Sequence, residues 1–149
     1  MNVRPALEPD ESFLVELFSE RKRAEFSRAG WPGPLLEAIV RQQASLWLRA
    51  RARMQTLVLE EAGHPVGALV LVSEGGDLRL VELVIAAAWR RKGFARAALR
   101  DLLRQADASG TSVVLCTEPG GHAEALYRAH GFENDGAEGP SIRLRRRHR

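Results

Sequence analysis

Along this chain the spacing of apolar side chains switches repeatedly between the short runs of a strand and the three-to-four-residue rhythm of a helix. Residues 2–7 predict a short first strand. Asp10 follows as a helix cap, and Phe13, Leu14, Leu17 and Phe18 form an apolar stripe that carries a helix to about Arg23. The stretch Ala29-Gly30-Trp31-Pro32-Gly33-Pro34 breaks that helix. Pro34 suits the first turn of a second one, bearing Leu35, Leu36, Ile39, Val40, Leu46 and Trp47 to about Arg51. Residues 56–60 and 66–72 predict two strands turned by Gly63-His64-Pro65, and Gly75-Gly76-Asp77 leads into a third at 78–85, LRLVELVI. Phe94, Ala98, Leu99, Leu102, Leu103 and Ala106 recur at helical spacing, with Gly110 placed to cap the helix end. Residues 113–117 are wholly apolar, as a strand buried on both faces should be. A helix from about Ala123 to His130 stops at Gly131, and residues 142–144 can close the sheet. The pattern predicts a single domain over residues 1–149 of the mixed α/β (α+β) class, with six or seven strands and helices on both faces of the sheet.

Composition narrows this picture. A chain of 149 residues that is 45% hydrophobic can build one core. No apolar run approaches the roughly 18 to 20 residues that cross a membrane, and the opening MNVRPALEPD is too polar for a signal peptide. With one cysteine there is no internal disulfide framework, which makes a reducing cytoplasm the expected compartment. The four histidines and Cys116 lack metal-ligand spacing, so no metal is expected. The net charge is +3, and Arg143, Arg145, Arg146, Arg147 and Arg149 crowd the end of the chain. Such a cluster can grip nucleic acid, but it has no interleaved aromatics. A last strand with a solvated end is the favoured reading, and nucleic acid is disfavoured as a partner.

Candidate chemistry concentrates at Arg90-Arg91-Lys92-Gly93-Phe94-Ala95, where the third hairpin strand turns into a helix. A basic, glycine-bearing turn opening a helix presents free N–H groups and the positive end of a helix dipole, a setting that binds phosphates. The P-loop and the three-glycine dinucleotide fingerprint are both missing. What remains is Arg90-x-x-Gly93-x-Ala95, where small residues let backbone amides approach a pyrophosphate and Arg90, Arg91 and Lys92 add charge.

This turn resembles the acyl-coenzyme A motif of the GCN5-related N-acetyltransferase (GNAT) superfamily. Ala123-x-x-Leu126-Tyr127-x-x-x-Gly131-Phe132 matches the family's second landmark, and Val3-Arg4-Pro5-Ala6 through Asp10 is similar to its start. The resemblance covers nearly the whole chain and implies a mostly antiparallel sheet whose two central strands, 78–86 and 113–117, splay apart. It implies acetyl-CoA (coenzyme A) as cosubstrate. The pantetheine arm would pair with backbone amides near Leu83, Val84 and Ile85, and the pyrophosphate would lie on the amides from Arg91 to Ala95. It implies Tyr127 as the general acid that protonates the leaving thiolate, with a tyrosine merely packed on the coenzyme or core as the alternative. Glu82, a carboxylate in an apolar strand, is the candidate base; its alternative is a strand-face glutamate paired with Arg79 or another arginine. The implied partner is a small-molecule or peptide amine acceptor, and a homodimer is among the states the family often adopts.

Further residues draw plainer expectations. Cys116 reads as a core residue, His122 as a loop histidine, and Trp31 and Trp47 as packing for the first two helices. The resemblance makes Glu25, Arg28 and Trp31 acceptor contacts. Ala87 and Gly121 stand where the family commonly has Pro and Asn. The function so implied is acetyl transfer from acetyl-CoA to a primary amine by direct attack in a ternary complex. A coenzyme-binding module without turnover, and nucleic-acid binding through the arginine-rich end, are the alternatives.

Overall fold

Hairpins build most of the sheet, and among the described residues one helix crossover supplies the only parallel contact. The computed structural model describes residues 1–27 and 30–149. In chain order the elements are β1 (Asn2–Pro5), α1 (Glu11–Ser27), α2 (Gly33–Arg51), β2 (Gln55–Glu61), β3 (His64–Glu74), β4 (Asp77–Ile85), α3 (Phe94–Ala108), β5 (Val113–Thr117), α4 (His122–Ala129), β6 (Glu133–Glu138) and β7 (Ser141–Arg146). The seven strands lie in the order β1-β2-β3-β4-β5-β7-β6. Every neighbouring pair is antiparallel except β4 and β5, which α3 connects and which therefore run the same way.

Alternation along the strands sorts the core into two layers. Leu59, Leu69, Leu71, Leu80, Val113, Leu115 and Leu144 pack with Ala98, Leu99, Leu102, Leu103 and Ala106 of α3. Val58, Ala68 and Val84 pack on the opposite face with Leu14 and Leu17 of α1, joined by Phe13 and Trp47. Gly110, at φ +67°, ends α3 as expected, and the Thr111 N–H reaches back to the Ala106 carbonyl at 2.8 Å.

Two expectations change, and a third gains detail. Asp10 does not cap α1 but belongs to a 3-10 turn, Glu8–Asp10, where its carboxylate accepts the Leu7 N–H at 2.7 Å. It also takes a bidentate pair of bonds from Arg4, at 2.7 and 2.8 Å, which ties β1 to the start of α1. The strand β6 was not predicted: all six of its residues are exposed, so no apolar alternation marks it. The terminal arginines, finally, are largely inside a strand. Arg143 pairs with Glu74, Asp135 and Glu138, Arg145 with Asp77 and Asp135, and Arg146 with Asp107. β7 thus carries paired charges between β5 and β6, in keeping with the favoured reading of a last strand.

Candidate active site

The run LRLVELVI contains a β-bulge. Val70 pairs with Glu82 and Leu71 with Leu80, so Val81 is an extra residue without an opposite number. One extra residue exchanges the faces of everything beyond it. Leu78 and Leu80 before the bulge, and Leu83 and Ile85 after it, consequently all face α3, while Glu82 and Val84 turn toward α1 and α2.

β4 also parts from β5. Their register covers only Leu78↔Val113 and Arg79↔Val114, whereas β5 stays paired with β7 over its full length. From Leu80 onward the β5-facing edge of β4 has no strand partner. The Ala86 N–H donates to Val66 across the β3 side at 2.8 Å. By alternation the N–H groups of Leu83 and Ile85 point into the gap, and that of Val84 points back to β3. The splay expected between these strands is therefore present.

At the end of this open edge lies the basic turn. Gly93 precedes α3 with φ +85°, a left-handed conformation that glycine adopts without strain. The first helical bond runs from the Ala97 N–H to the Gly93 carbonyl at 3.0 Å. The N–H groups of Phe94, Ala95 and Arg96 are left without partners inside the helix, as at any helix start. Trp89 meets Phe94 edge-on at 5.9 Å and braces the turn. A cavity of about 230 Å³ opens here, lined by Ile85, Arg90, Gly93, Ala95 and Leu126 among others. A larger groove, about 540 Å³, lies between α3 and strands β1–β4 and shares no lining residue with it.

Arg91 and Lys92 are exposed on the turn. Arg90 instead folds back, its Nε donating to the Ile85 carbonyl at 3.1 Å and its Nη2 standing 3.5 Å from Glu20. Glu20 also accepts the Ala87 N–H at 2.8 Å, so α1 fastens the segment that leads into the turn. Sequence reasoning missed Glu20, since a glutamate on a helix reads as a solvated charge.

Glu82 is 11% exposed and has both oxygens engaged. Arg21 of α1 donates to Oε1 at 2.5 Å, and the Trp47 indole of α2 donates to Oε2 at 3.0 Å. Phe18 stacks on Trp47 with ring centroids 4.8 Å apart. Trp47 therefore does more than pack. Of the arginines open to Glu82 it is thus Arg21 that pairs with it, while Arg79 pairs with Glu74 and Glu138.

Tyr127 packs at the edge of the α3-side core, edge-on to Phe132 at 5.6 Å. Burial pushes its phenol above the ordinary value, and the nearby Arg21 charge pulls the other way. The α4 start is organised by Glu124, which accepts the Gly120 N–H at 2.7 Å and pairs with Arg128.

Cys116 donates its S–H to Glu138 at 2.9 Å, and burial raises its thiol pKa, which opposes nucleophile formation. His122 is exposed at the first residue of α4. Glu25 pairs with Lys22, and Trp31 stacks on Phe26 at 5.9 Å. Arg28 and Ala29 lie outside the described residues. Among the described residues no cluster of three His, Cys, Asp or Glu side chains could hold a metal, and no helix is long and apolar enough to cross a membrane.

The splayed sheet, with a free strand edge that runs into a basic helix start, is the arrangement that the sequence resemblance implied. The model of the Acetyltransferase (GNAT) family matches residues 14–132, and the chain belongs to that family, whose enzymes use acetyl-CoA. Solved structures agree in fold. PaiA N-acetyltransferase from Thermoplasma acidophilum, in complex with coenzyme A, superposes with a TM-score of 0.73 at 15% identity, over 99% of this chain and 100% of that one. An acetyltransferase from Thermus thermophilus gives 0.70 at 24% identity, over 98% and 96% of the two chains. A ribosomal-protein-alanine N-acetyltransferase from Brucella melitensis gives 0.67 at 25% identity, over 99% of each. Among curated proteins, none matches the chain by sequence.

Proposed function

We propose that this protein transfers the acetyl group of acetyl-CoA to a primary amine by direct attack within a ternary complex. The observation that carries the reading is the loss of β4–β5 pairing after Arg79, which leaves the N–H groups of Leu83 and Ile85 facing an open slot that ends at Gly93. A pantetheine arm can pair with that edge as an added strand would. The free amides at the start of α3, with Arg91 and Lys92, suit the pyrophosphate.

The proposed chemistry assigns a proton to each side of the thioester. The amine nitrogen attacks the acetyl carbonyl carbon, and the developing oxyanion is stabilised by an N–H on the open edge of β4. Before attack Glu82 takes a proton from the ammonium, directly or through one water, and releases it to solvent; after attack it takes the second, leaving the neutral amide. Its oxygens already hold Arg21 and Trp47, but each carboxylate oxygen keeps a second lone pair. The carbon–sulfur bond then breaks, and the Tyr127 hydroxyl protonates the departing thiolate. A phenol held above its ordinary pKa by burial is protonated at neutral pH, as an acid must be.

Calorimetry with coenzyme A, followed by thiol release from acetyl-CoA across an amine panel, tests the assignment. Amine-dependent release that falls on Tyr127→Phe and on Glu82→Gln supports it. Coenzyme binding with no transfer to any amine would instead make the protein a binding module.

A further inference from the structure

Arg21 meets Glu82, the proposed base, and its charge reaches Tyr127, the proposed acid. Its guanidinium has five N–H donors, yet among the described residues it makes a single hydrogen bond, Nη2 to Glu82. The arginines of the sheet spend theirs more fully: Arg79 bonds Glu74 and Glu138, and Arg146 holds both oxygens of Asp107. The Arg21 side chain is also 37% exposed, whereas Glu82 beside it is mostly covered. The Phe18 ring, 5.7 Å from the guanidinium carbon, supports it from one side.

Arg21 and Glu82 together present a positive and a negative charge in direct contact, summing to zero. A polycation gains one carboxylate there and meets one guanidinium, so the pair offers it no net attraction. A peptide N-terminus brings an ammonium to Glu82 but only a neutral amide to Arg21. The complementary molecule carries an ammonium and a carboxylate on one carbon, because its charges then oppose those of the pair at matching separation. The guanidinium is also the donor group best shaped to grip a carboxylate.

We propose that the acceptor is a free α-amino acid or a close zwitterionic analogue, its ammonium directed to Glu82 and its carboxylate bound by the unspent donors of Arg21. The proposal rests on the acetyl-transfer reading above and names its substrate class. Trp47 serves it by fixing the Glu82 carboxylate, so that one oxygen stays beside Arg21.

The test measures thiol release from acetyl-CoA with the common amino acids, each set against its own carboxamide and its decarboxylated amine. The preferred amino acid should exceed its amide in kcat/KM by on the order of tenfold to a hundredfold, the usual range for charge-assisted bonds lost. The difference should lie mainly in KM. In Arg21→Met that acid-to-amide ratio should fall toward one, and Arg21→Lys should recover part of it. A merely structural arginine would lower acid and amide together and leave the ratio standing. Amides or simple amines that match or beat the amino acids in the unmodified protein would overturn the proposal, and this comparison holds even if Arg21→Met fails to fold. Coenzyme binding without transfer to any amine overturns both the proposal and the acetyl-transfer reading, and is recognisable as such.

Discussion

Gly67 of β3 sits so close to β4 that a Cβ at its position would collide with the Val84 carbonyl oxygen and press on Ile85. The obstacle is backbone, which cannot swing aside as a long side chain would. β4 therefore keeps its path beside the slot because β3 carries no side chain at this point.

Gly67→Ala should destabilise the protein by about 1–3 kcal/mol, the ordinary cost of forcing extra volume into a packed site. Because the strain falls at Val84–Ile85, coenzyme A affinity should drop as well. Thermal melting and calorimetry on the same sample read the two effects, and an unchanged melting temperature would contradict the close approach.

Gly93→Ala isolates a different property. No atom lies within 4 Å of a Cβ built there, but φ is +85°. The substitution should cost about 1–2 kcal/mol in backbone strain and place a methyl group at the proposed pyrophosphate site. Coenzyme A binding should weaken by about tenfold or more in a protein that still melts cooperatively.

Acid stability should depend on Asp10. The Arg4 guanidinium, aided by the Leu7 N–H, holds its carboxyl down to about 2 from an ordinary 3.8. A carboxyl depressed by folding stabilises the native state above its unfolded pKa, and that contribution disappears as pH falls through the folded value. About 2 kcal/mol should be present at neutral pH and lost between roughly pH 4 and pH 2. Urea unfolding at several pH values checks this, and Asp10→Asn should flatten that part of the profile.

The proposed acid makes a prediction at the other end of the pH scale. Since burial raises the Tyr127 phenol above its usual value of 10.0, acid catalysis should persist through pH 9 and decline only beyond the ordinary range. Tyr127→Phe should lower kcat by roughly a hundredfold and leave coenzyme A affinity nearly unchanged. A Tyr127-dependent fall in kcat between pH 7 and 9 would argue against the assignment.

Much of this molecule was legible in its sequence because burial leaves a rhythm. The leucines and alanines of α3, the hairpin strands and the glycine-marked turns all announced themselves. The bulge left a fainter trace: Leu78, Leu80, Leu83 and Ile85 share a face although their spacing skips a residue at Val81. Without pairing partners that skip is ambiguous. β6 left no trace, since an edge strand of exposed residues is held by its ladder to β7 and by no apolar face. The groups around Glu82 were hidden for another reason. Arg21 lies 61 residues from Glu82 along the chain, and Glu20 lies 67 from Ala87. A charged residue on a helix carries no mark of a partner so remote. Arg143 and Arg145 were read as part of a last strand, but their partners were not legible, since those carboxylates arrive from β3, β4 and β6.

The position of β7 bears on any shortening of this protein. With β5 on one side and β6 on the other, it is an interior strand, although it follows both of them in the chain. Deleting residues from Ser141 onward to strip away positive charge would strand β6 and leave β5, the far wall of the slot beside β4, paired only at Val113 and Val114. Neutralising single arginines by substitution is the gentler way to ask what that charge does.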